Sequence, residues 1–196
     1  EAILSYDKAI QINQDYADYY DNKAIALVNL GKYQEAISCS DKAIQINPNS
    51  AAYHSNKGNA LQSSGQYQEA VLCFDKAIQI EPNNAKYHSN KGMALNGSGK
   101  YQEALICFDK AIRLDPGLAD HYSNKGITLR NLGQYQESIA FFDKAIQNNP
   151  QHPLFYCNRG RTLLSLFKFQ AATADFKKAQ EIIKSGKLPP GLSKKN

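Results

Sequence analysis

The apolar residues of this chain recur at the spacing of amphipathic helices. In AAYHSNKGNALQSSGQYQEAVLCFDKAIQIEPNN, residues 51–84, apolar side chains follow one another at intervals of three and four on both sides of Gly65. Gly65 can adopt the left-handed backbone that closes a helix, and Pro82 lacks the N–H that a continuing helix needs. The stretch is therefore predicted to form two helices that pack as a hairpin.

The same pattern returns every 34 residues. Residues 51–84 and 85–118 are identical at 22 of 34 positions, and both contain YHSNKG. Self-similarity at a fixed period is typical of solenoids, in which each repeat packs on its neighbours. The predicted organisation is the second helix of a truncated repeat at 1–16, repeats at 17–50, 51–84, 85–118, 119–152 and 153–186, the last with an extended capping helix, and a flexible basic tail at 187–196.

The repeats resemble the tetratricopeptide repeat (TPR) family over residues 1–186. In the third full repeat, the places of the family pattern hold His88, Lys91-Gly92, Leu95, Gly99-x-Tyr101, Ala104, Phe108, Ala111 and Pro116. Two departures recur, because Tyr or His stands where Trp is common and Lys or Arg where Leu is common. Both types combine an apolar body with a polar tip, so we expect the fold to tolerate them. The resemblance implies an all-α, right-handed α-solenoid of antiparallel helix hairpins, the TPR superhelix.

The Lys or Arg of each first helix comes 16 residues after an Asp in the preceding second helix. This spacing predicts ion pairs across the junctions between repeats, for example Asp75 with Lys91. An exposed pair contributes only about 0 to 1 kcal/mol, so we expect these pairs to set the register between repeats rather than to add much stability. The alternative is that each Lys extends along the surface without a partner.

An asparagine occupies the sixth position of every full repeat. In the TPR family the first helix lines the concave inner surface, and the resemblance puts this position there, as in the asparagine ladders of peptide-binding superhelices. A carboxamide both donates and accepts hydrogen bonds, so a row of them can hold the backbone of an extended peptide. The predicted peptide-binding residues are Asn22, Asn56, Asn90, Asn124, Asn158, Asn59, Gln62, Lys86, Met93, Asn96, Ile127 and Arg130.

Two alternatives concern these asparagines. Their side chains could instead bond to a neighbouring helix and hold adjacent repeats together. A second binding mode of the family clamps a terminal carboxylate with cations, but Ser55, Asp120 and Asn124 occupy the places where those cations would stand. A carboxylate buried without cations is costly, so the sequence does not predict this clamp.

The sequence shows no pattern of a catalytic, metal or cofactor site. No two histidines have the i, i+4 spacing of a helical metal site, and no nucleotide loop or nucleophile elbow occurs. We therefore predict that the chain is not an enzyme and binds no metal or cofactor. Cys39, Cys73 and Cys107 are 34 residues apart, too far apart in a stack for disulfides, and this indicates a reducing compartment, the cytoplasm.

The net charge of +5 comes largely from lysines near the C-terminus, while acidic and basic residues alternate elsewhere. This pattern predicts no nucleic-acid binding, and the lack of a long apolar run predicts no membrane span. The start EAILSYDKAI has no cap or initiator Met, so we expect it to be internal to a longer polypeptide. Ile3, Tyr6 and Ile10 are expected on an exposed terminal helix face that could support a homo-oligomer.

The function predicted from these features is a protein–protein interaction scaffold that binds an extended or disordered segment of a partner in a concave groove. One alternative is the substrate-recruiting or regulatory arm of a larger enzyme, with catalysis encoded elsewhere. Another is an architectural solenoid that assembles through its terminal helix faces.

Overall fold

The computed structural model describes residues 2–186, and this part of the chain consists of eleven α-helices without a strand. The predicted tail at 187–196 lies outside the described residues. The helices are α1 Ala2–Ile12, α2 Ala17–Asn29, α3 Tyr33–Ile46, α4 Ala51–Ser63, α5 Tyr67–Ile80, α6 Ala85–Gly97, α7 Tyr101–Leu114, α8 Ala119–Asn131, α9 Tyr135–Asn148, α10 Pro153–Ser165 and α11 Phe169–Lys184. The all-α solenoid predicted from the 34-residue period is confirmed.

Glycines in the left-handed conformation separate the first helix of a repeat from the second. The φ angles are +75° at Gly31, +83° at Gly65, +80° at Gly99 and +77° at Gly133. At Gly65 the turn is closed by hydrogen bonds from Gly65 N–H to Gln62 O and from Gln66 N–H to Leu61 O. The helix stops predicted from these glycines are confirmed.

The last repeat departs from this rule. Phe167 stands at the place of the glycine and has a φ of +58°. A side chain in this conformation places Cβ close to the following carbonyl oxygen, at a cost of about 1 to 2 kcal/mol. The sequence did not reveal this strain, because the predicted turns rested on a glycine and Phe replaces it here.

The described residues form two compact units, 2–100 with α1 to α6 and 101–186 with α7 to α11. In the first unit, Leu27, Leu61 and Phe74 form the centre of the core together with small alanines. Ile3, Tyr6 and Ile10, expected on an exposed face, are half-buried, and Ile3 packs against this core. In the second unit, α8 packs on α9 and α10 on α11, and Phe155 packs with Ala119 and Ala145.

Ion pairs join each second helix to the first helix that follows it. The pairs are Asp7–Lys23 (2.5 Å), Asp41–Lys57 (2.6 Å), Asp75–Lys91 (2.6 Å), Asp109–Lys125 (2.6 Å) and Asp143–Arg159 (2.5 Å). The predicted pairing across the junctions is therefore confirmed. One partner was missed, because Arg159 also binds the buried Asp175 of its own repeat, at 2.6 Å.

In the last four full repeats, the His or Tyr at the fourth position ties the first helix to the proline loop before it. His54 and His88 donate from Nε2 to the carbonyls of Pro48 and Pro82, at 2.8 Å each. The Tyr122 hydroxyl donates to Pro116 O at 3.0 Å. These bonds give the polar tips of the His and Tyr side chains a hydrogen-bond partner at the place where Trp is common in the family.

Candidate functional site

The asparagines at the sixth position occupy equivalent places on neighbouring first helices. We call the surface around them the first-helix face, which consists of the part around Asn22, Asn56 and Asn90 in the first unit and the part around Asn124 and Asn158 in the second. In the first unit α2 contacts α4 and α4 contacts α6, and in the second unit α8 contacts α10. Asn22 is exposed and the other four are half-buried.

Asn56 is bonded to the preceding first helix. Its Nδ2 donates to both carboxylate oxygens of Asp21, at 3.0 and 2.8 Å. Asp21 is only 8% exposed, and burial raises the pKa of its carboxyl group, although the hydrogen bond from Asn56 acts in the opposite direction. Asn56 therefore links α4 to α2, and no cation among the described residues pairs with Asp21.

Asn90 makes a similar link with a different partner. Its Nδ2 donates to Asn59 Oδ1 on α4, at 3.2 Å. The side chains of Asn22, Asn124 and Asn158 make no hydrogen bond with any residue in the range 2–186. The backbone oxygen of Asn158 accepts a hydrogen bond of 3.4 Å from Arg130 Nη1. Two of the five amides are thus used between repeats, and three remain available.

The other predicted residues differ in their exposure. Gln62 is half-buried, and its Oε1 finds no hydrogen-bond partner among the described residues. The half-buried Arg130 has a pKa lowered by burial and by the nearby charge of Arg161. Lys86 is exposed, whereas the remaining residues are half-buried, namely Asn59, Met93, Asn96 and Ile127.

A hydrogen bond between a tyrosine on α4 and an aspartate on α2 was not predicted from the sequence. The hydroxyl of Tyr53 on α4 donates to the carboxylate of Asp18 on α2. Burial raises the pKa of Tyr53, and the bond to Asp18 raises it further. Tyr53 and Asn56 both reach a residue 35 positions earlier, and this shared offset is the signal that could have predicted both contacts.

Chemistry by metal-ligating and nucleophilic side chains depends on their grouping and their burial. Within residues 2–186, no three His, Cys, Asp or Glu side chains lie close enough together to hold a metal ion. Burial raises the pKa of the Cys39 and Cys73 thiols, which makes them poor nucleophiles. In the same range, no helix has both the length and the apolar character needed to cross a membrane.

The repeated hairpins and the polar first-helix face define a helical-repeat binding protein. The tetratricopeptide repeat family matches residues 51–84, 85–118 and 119–152, and further TPR models match residues 5–38, 24–65 and 154–185. The chain belongs to the tetratricopeptide repeat family. Membership places it among protein-interaction scaffolds, a class that is typically not enzymatic.

Several solved structures share the fold. MamA from Desulfovibrio magneticus RS-1 has a TM-score of 0.73 at 24% identity, over 86% of this chain and 96% of that one. YrrB, described as a TPR protein with an unusual peptide-binding site, has a TM-score of 0.64 at 24% identity, over 93% and 98%. PilF from Pseudomonas aeruginosa has a TM-score of 0.74 at 20% identity, over 84% and 75%. A search of curated protein sequences finds no significant match.

Proposed function

We propose that this chain is a scaffold that binds an extended peptide segment of a partner protein along the first-helix face. The observation that carries the proposal is the recurrence of Asn at one place in all five full repeats, with three of the amides unbonded within the described residues. The Asn158 side chain makes no hydrogen bond to α8 although α10 contacts that helix, so a role in joining neighbouring first helices does not account for the Asn at this place. The unusual peptide-binding site described for YrrB is consistent with such a role.

The two amides that bond to a neighbouring helix can also take part in peptide binding. Asn56 and Asn90 use Nδ2 toward the neighbouring helix, and Oδ1 of each accepts no hydrogen bond from the described residues. These oxygens can accept from a peptide N–H, while the unbonded amides can both donate and accept. Because the internal bonds fix the side chains, binding has less conformational entropy to remove.

The spacing and the energetics indicate the kind of ligand. Neighbouring helices lie about 8 to 10 Å apart, and an extended peptide rises about 3.3 Å per residue, so one amide serves about three ligand residues. Each hydrogen bond contributes about 0.5 to 1.5 kcal/mol, while ordering a flexible peptide costs several kcal/mol. We therefore expect micromolar dissociation constants, with selectivity supplied by residues such as Met93 and Ile127.

The experiment uses an array of synthetic 12-residue peptides, from which one binder is labelled as the probe for fluorescence anisotropy. Asn124→Ala and Asn158→Ala should each weaken probe binding by about two- to tenfold, the equivalent of one hydrogen bond, without lowering the melting temperature. Asn83→Ala, in an exposed turn, is the matched control and should change neither.

The triple variant Asn56→Ala, Asn90→Ala and Asn124→Ala separates binding from a role in holding repeats together. If the amides bind peptide, the triple variant loses probe binding. It also loses part of its stability, because the bonds to Asp21 and Asn59 are removed. Lost stability with intact probe binding would mean that the asparagines only join the helices. Probe affinity unchanged by Asn124→Ala and Asn158→Ala would refute the ladder.

A further inference from the structure

A stripe of side chains runs along the outer face of α11. We call it the α11 stripe, and it consists of Phe169, Thr173, Phe176, Gln180 and Ile183. Its spacing of four, three, four and three residues is that of a seam that contacts one other helix. Phe169 is 60% exposed and Ile183 50%. Two adjoining depressions of about 370 and about 450 Å³ lie along the stripe and share Thr173 and Lys177.

Equivalent faces of earlier second helices are covered by a helix. The first helix of the next repeat lies on α3, α5, α7 and α9, in contacts with α4, α6, α8 and α10. The phenylalanines equivalent to Phe176 are 0% exposed at Phe74 and Phe142 and 1% at Phe108, whereas Phe176 is 36% exposed. Within residues 2–186, no helix covers this face of α11 in the way that the earlier second helices are covered.

The charge on this face is the reverse of the charge at every other junction. Lys177 occupies the place held by Asp41, Asp75, Asp109 and Asp143, each of which pairs with the Lys or Arg of the next first helix. Lys177 is exposed and pairs with no carboxylate of residues 2–186. Residues 153–186 as a whole contain six Lys or Arg and only two acidic residues.

The reversed charge at Lys177 indicates which kind of helix fits this face. A first helix of a second copy would present Lys or Arg opposite Lys177, and like charges at that place oppose docking. The segment 187–196 has three lysines and no acidic residue, so it does not complement the face either. A helix with Asp or Glu at the place where these repeats carry Lys fits both the charge and the apolar stripe.

We propose that the α11 stripe docks one amphipathic helix of a partner protein, with an acidic residue opposite Lys177 and apolar residues against Phe169, Phe176 and Ile183. This docking surface is separate from the first-helix face and does not depend on peptide binding there. The docked helix contacts α11 in the way that each first helix contacts the second helix before it. The acidic residue of the ion pair lies on the docked helix, and the lysine lies on α11.

The probe is a stapled helical peptide of residues 17–29, because α2 makes the same kind of contact with α1 and pairs Lys23 with Asp7. Two forms are compared by fluorescence anisotropy, the natural peptide and the peptide with Lys23→Glu. The protein should bind the Glu form about fivefold tighter or more, and Lys177→Asp should invert that preference. Phe169→Ser, at an exposed position, should weaken binding of both forms.

Lys178→Asp is the control, because it makes the same charge change one residue away, on the opposite side of α11 from the stripe, although it also removes an exposed pair with Glu181 at 3.6 Å. It should leave the preference for the Glu form unchanged. Equal affinity for the two forms, or no binding of the Glu form at millimolar peptide, would overturn the proposal. Sedimentation showing a dimer that Phe169→Ser dissociates would replace the partner helix with a second copy.

Discussion

The ring of Phe74 occupies the space where a side chain on Gly58 would begin. A β-carbon added to Gly58 would lie 2.7 Å from Phe74 Cε1, closer than carbon atoms can approach without a shift. The last repeat has the same relationship, at 2.8 Å between Gly160 and Phe176. A glycine in the first helix therefore lets an aromatic ring of the second helix lie against it, where Phe74 is 0% exposed and Phe176, in the last repeat, is 36% exposed.

Gly58→Ala should destabilise the protein, because the added methyl group pushes against a ring that is fully buried. Overpacking of this kind costs about 1 to 3 kcal/mol, and urea denaturation should show a lower midpoint. Gly117→Ala is the control, since its β-carbon would meet only Asp115 Oδ1 at an ordinary 3.6 Å. Equal effects of the two substitutions would contradict the argument.

The first full repeat has a different residue at each of the two positions of this contact. Ala24 stands at the place of Gly58, and the fully buried Ser40 stands at the place of Phe74, with an Oγ that finds no partner among the described residues. Ser40→Phe alone should destabilise the protein, while Ser40→Phe with Ala24→Gly should recover at least about 1 kcal/mol of that loss. Additive effects in this double-mutant cycle would show that the residues at positions 24 and 40 are not coupled.

The sequence predicted the parts of this protein that repeat. Period, helix stops and junction ion pairs follow from residues at fixed positions, so each copy strengthens the inference from the others. The contacts of the asparagines could not be predicted in this way, because Asn56 bonds to the fifth position of its neighbour and Asn90 to the ninth. For the opposite reason, the turn at Phe167 was not predicted. Its backbone has the left-handed conformation found at this place in the other repeats, but the residue is Phe and not Gly.

Gly133→Ala should cost about 1 kcal/mol, because a β-carbon at a φ of +77° is strained although nothing lies within 4 Å of it. Phe167→Ala, at the equivalent turn, should change stability less, since Phe167 already bears that strain and is 78% exposed. Chemical denaturation of both variants measures the difference. A larger loss for Phe167→Ala would show that its edge contact with Phe169 outweighs the backbone strain.

The two carboxylates bound to Arg159 should contribute unequally. Asp175 is buried and accepts from Nε at 2.9 Å and from Nη2 at 2.6 Å, and these bonds are the main reason that the pKa of Arg159 is raised. Asp175→Asn should therefore cost about 1.5 to 3 kcal/mol, the range for hydrogen bonds to charged groups. Asp143→Asn removes a more exposed pair and should cost about 0 to 1 kcal/mol.

Salt separates these two contributions. In 1 M NaCl, where the Debye length is about 3 Å, the effect of Asp143→Asn on the urea midpoint should largely disappear. The effect of Asp175→Asn should persist, because the Asp175 side chain is only 7% exposed, whereas that of Asp143 is 46% exposed. Equal loss of both effects in salt would contradict the difference in burial.

Acidification below about pH 6.5 should destabilise the protein through the buried His121 and the half-buried His152. Burial lowers the pKa of His121, with Asp115 and Asp120 opposing this shift, and burial also lowers the pKa of His152. Between the ordinary pKa and these lowered values, the unfolded chain binds protons that the folded protein does not, so the free energy of unfolding falls as the pH falls.

His121→Phe tests this directly, because Phe155 fills the same place in the next repeat. His121 is 1% exposed, and neither ring nitrogen has a hydrogen-bond partner among the described residues, so the substitution should raise stability at neutral pH. The urea midpoint of the variant should also change less than that of the wild type between about pH 7.5 and about pH 5.5. An identical pH dependence in the two proteins would assign the effect to groups other than His121.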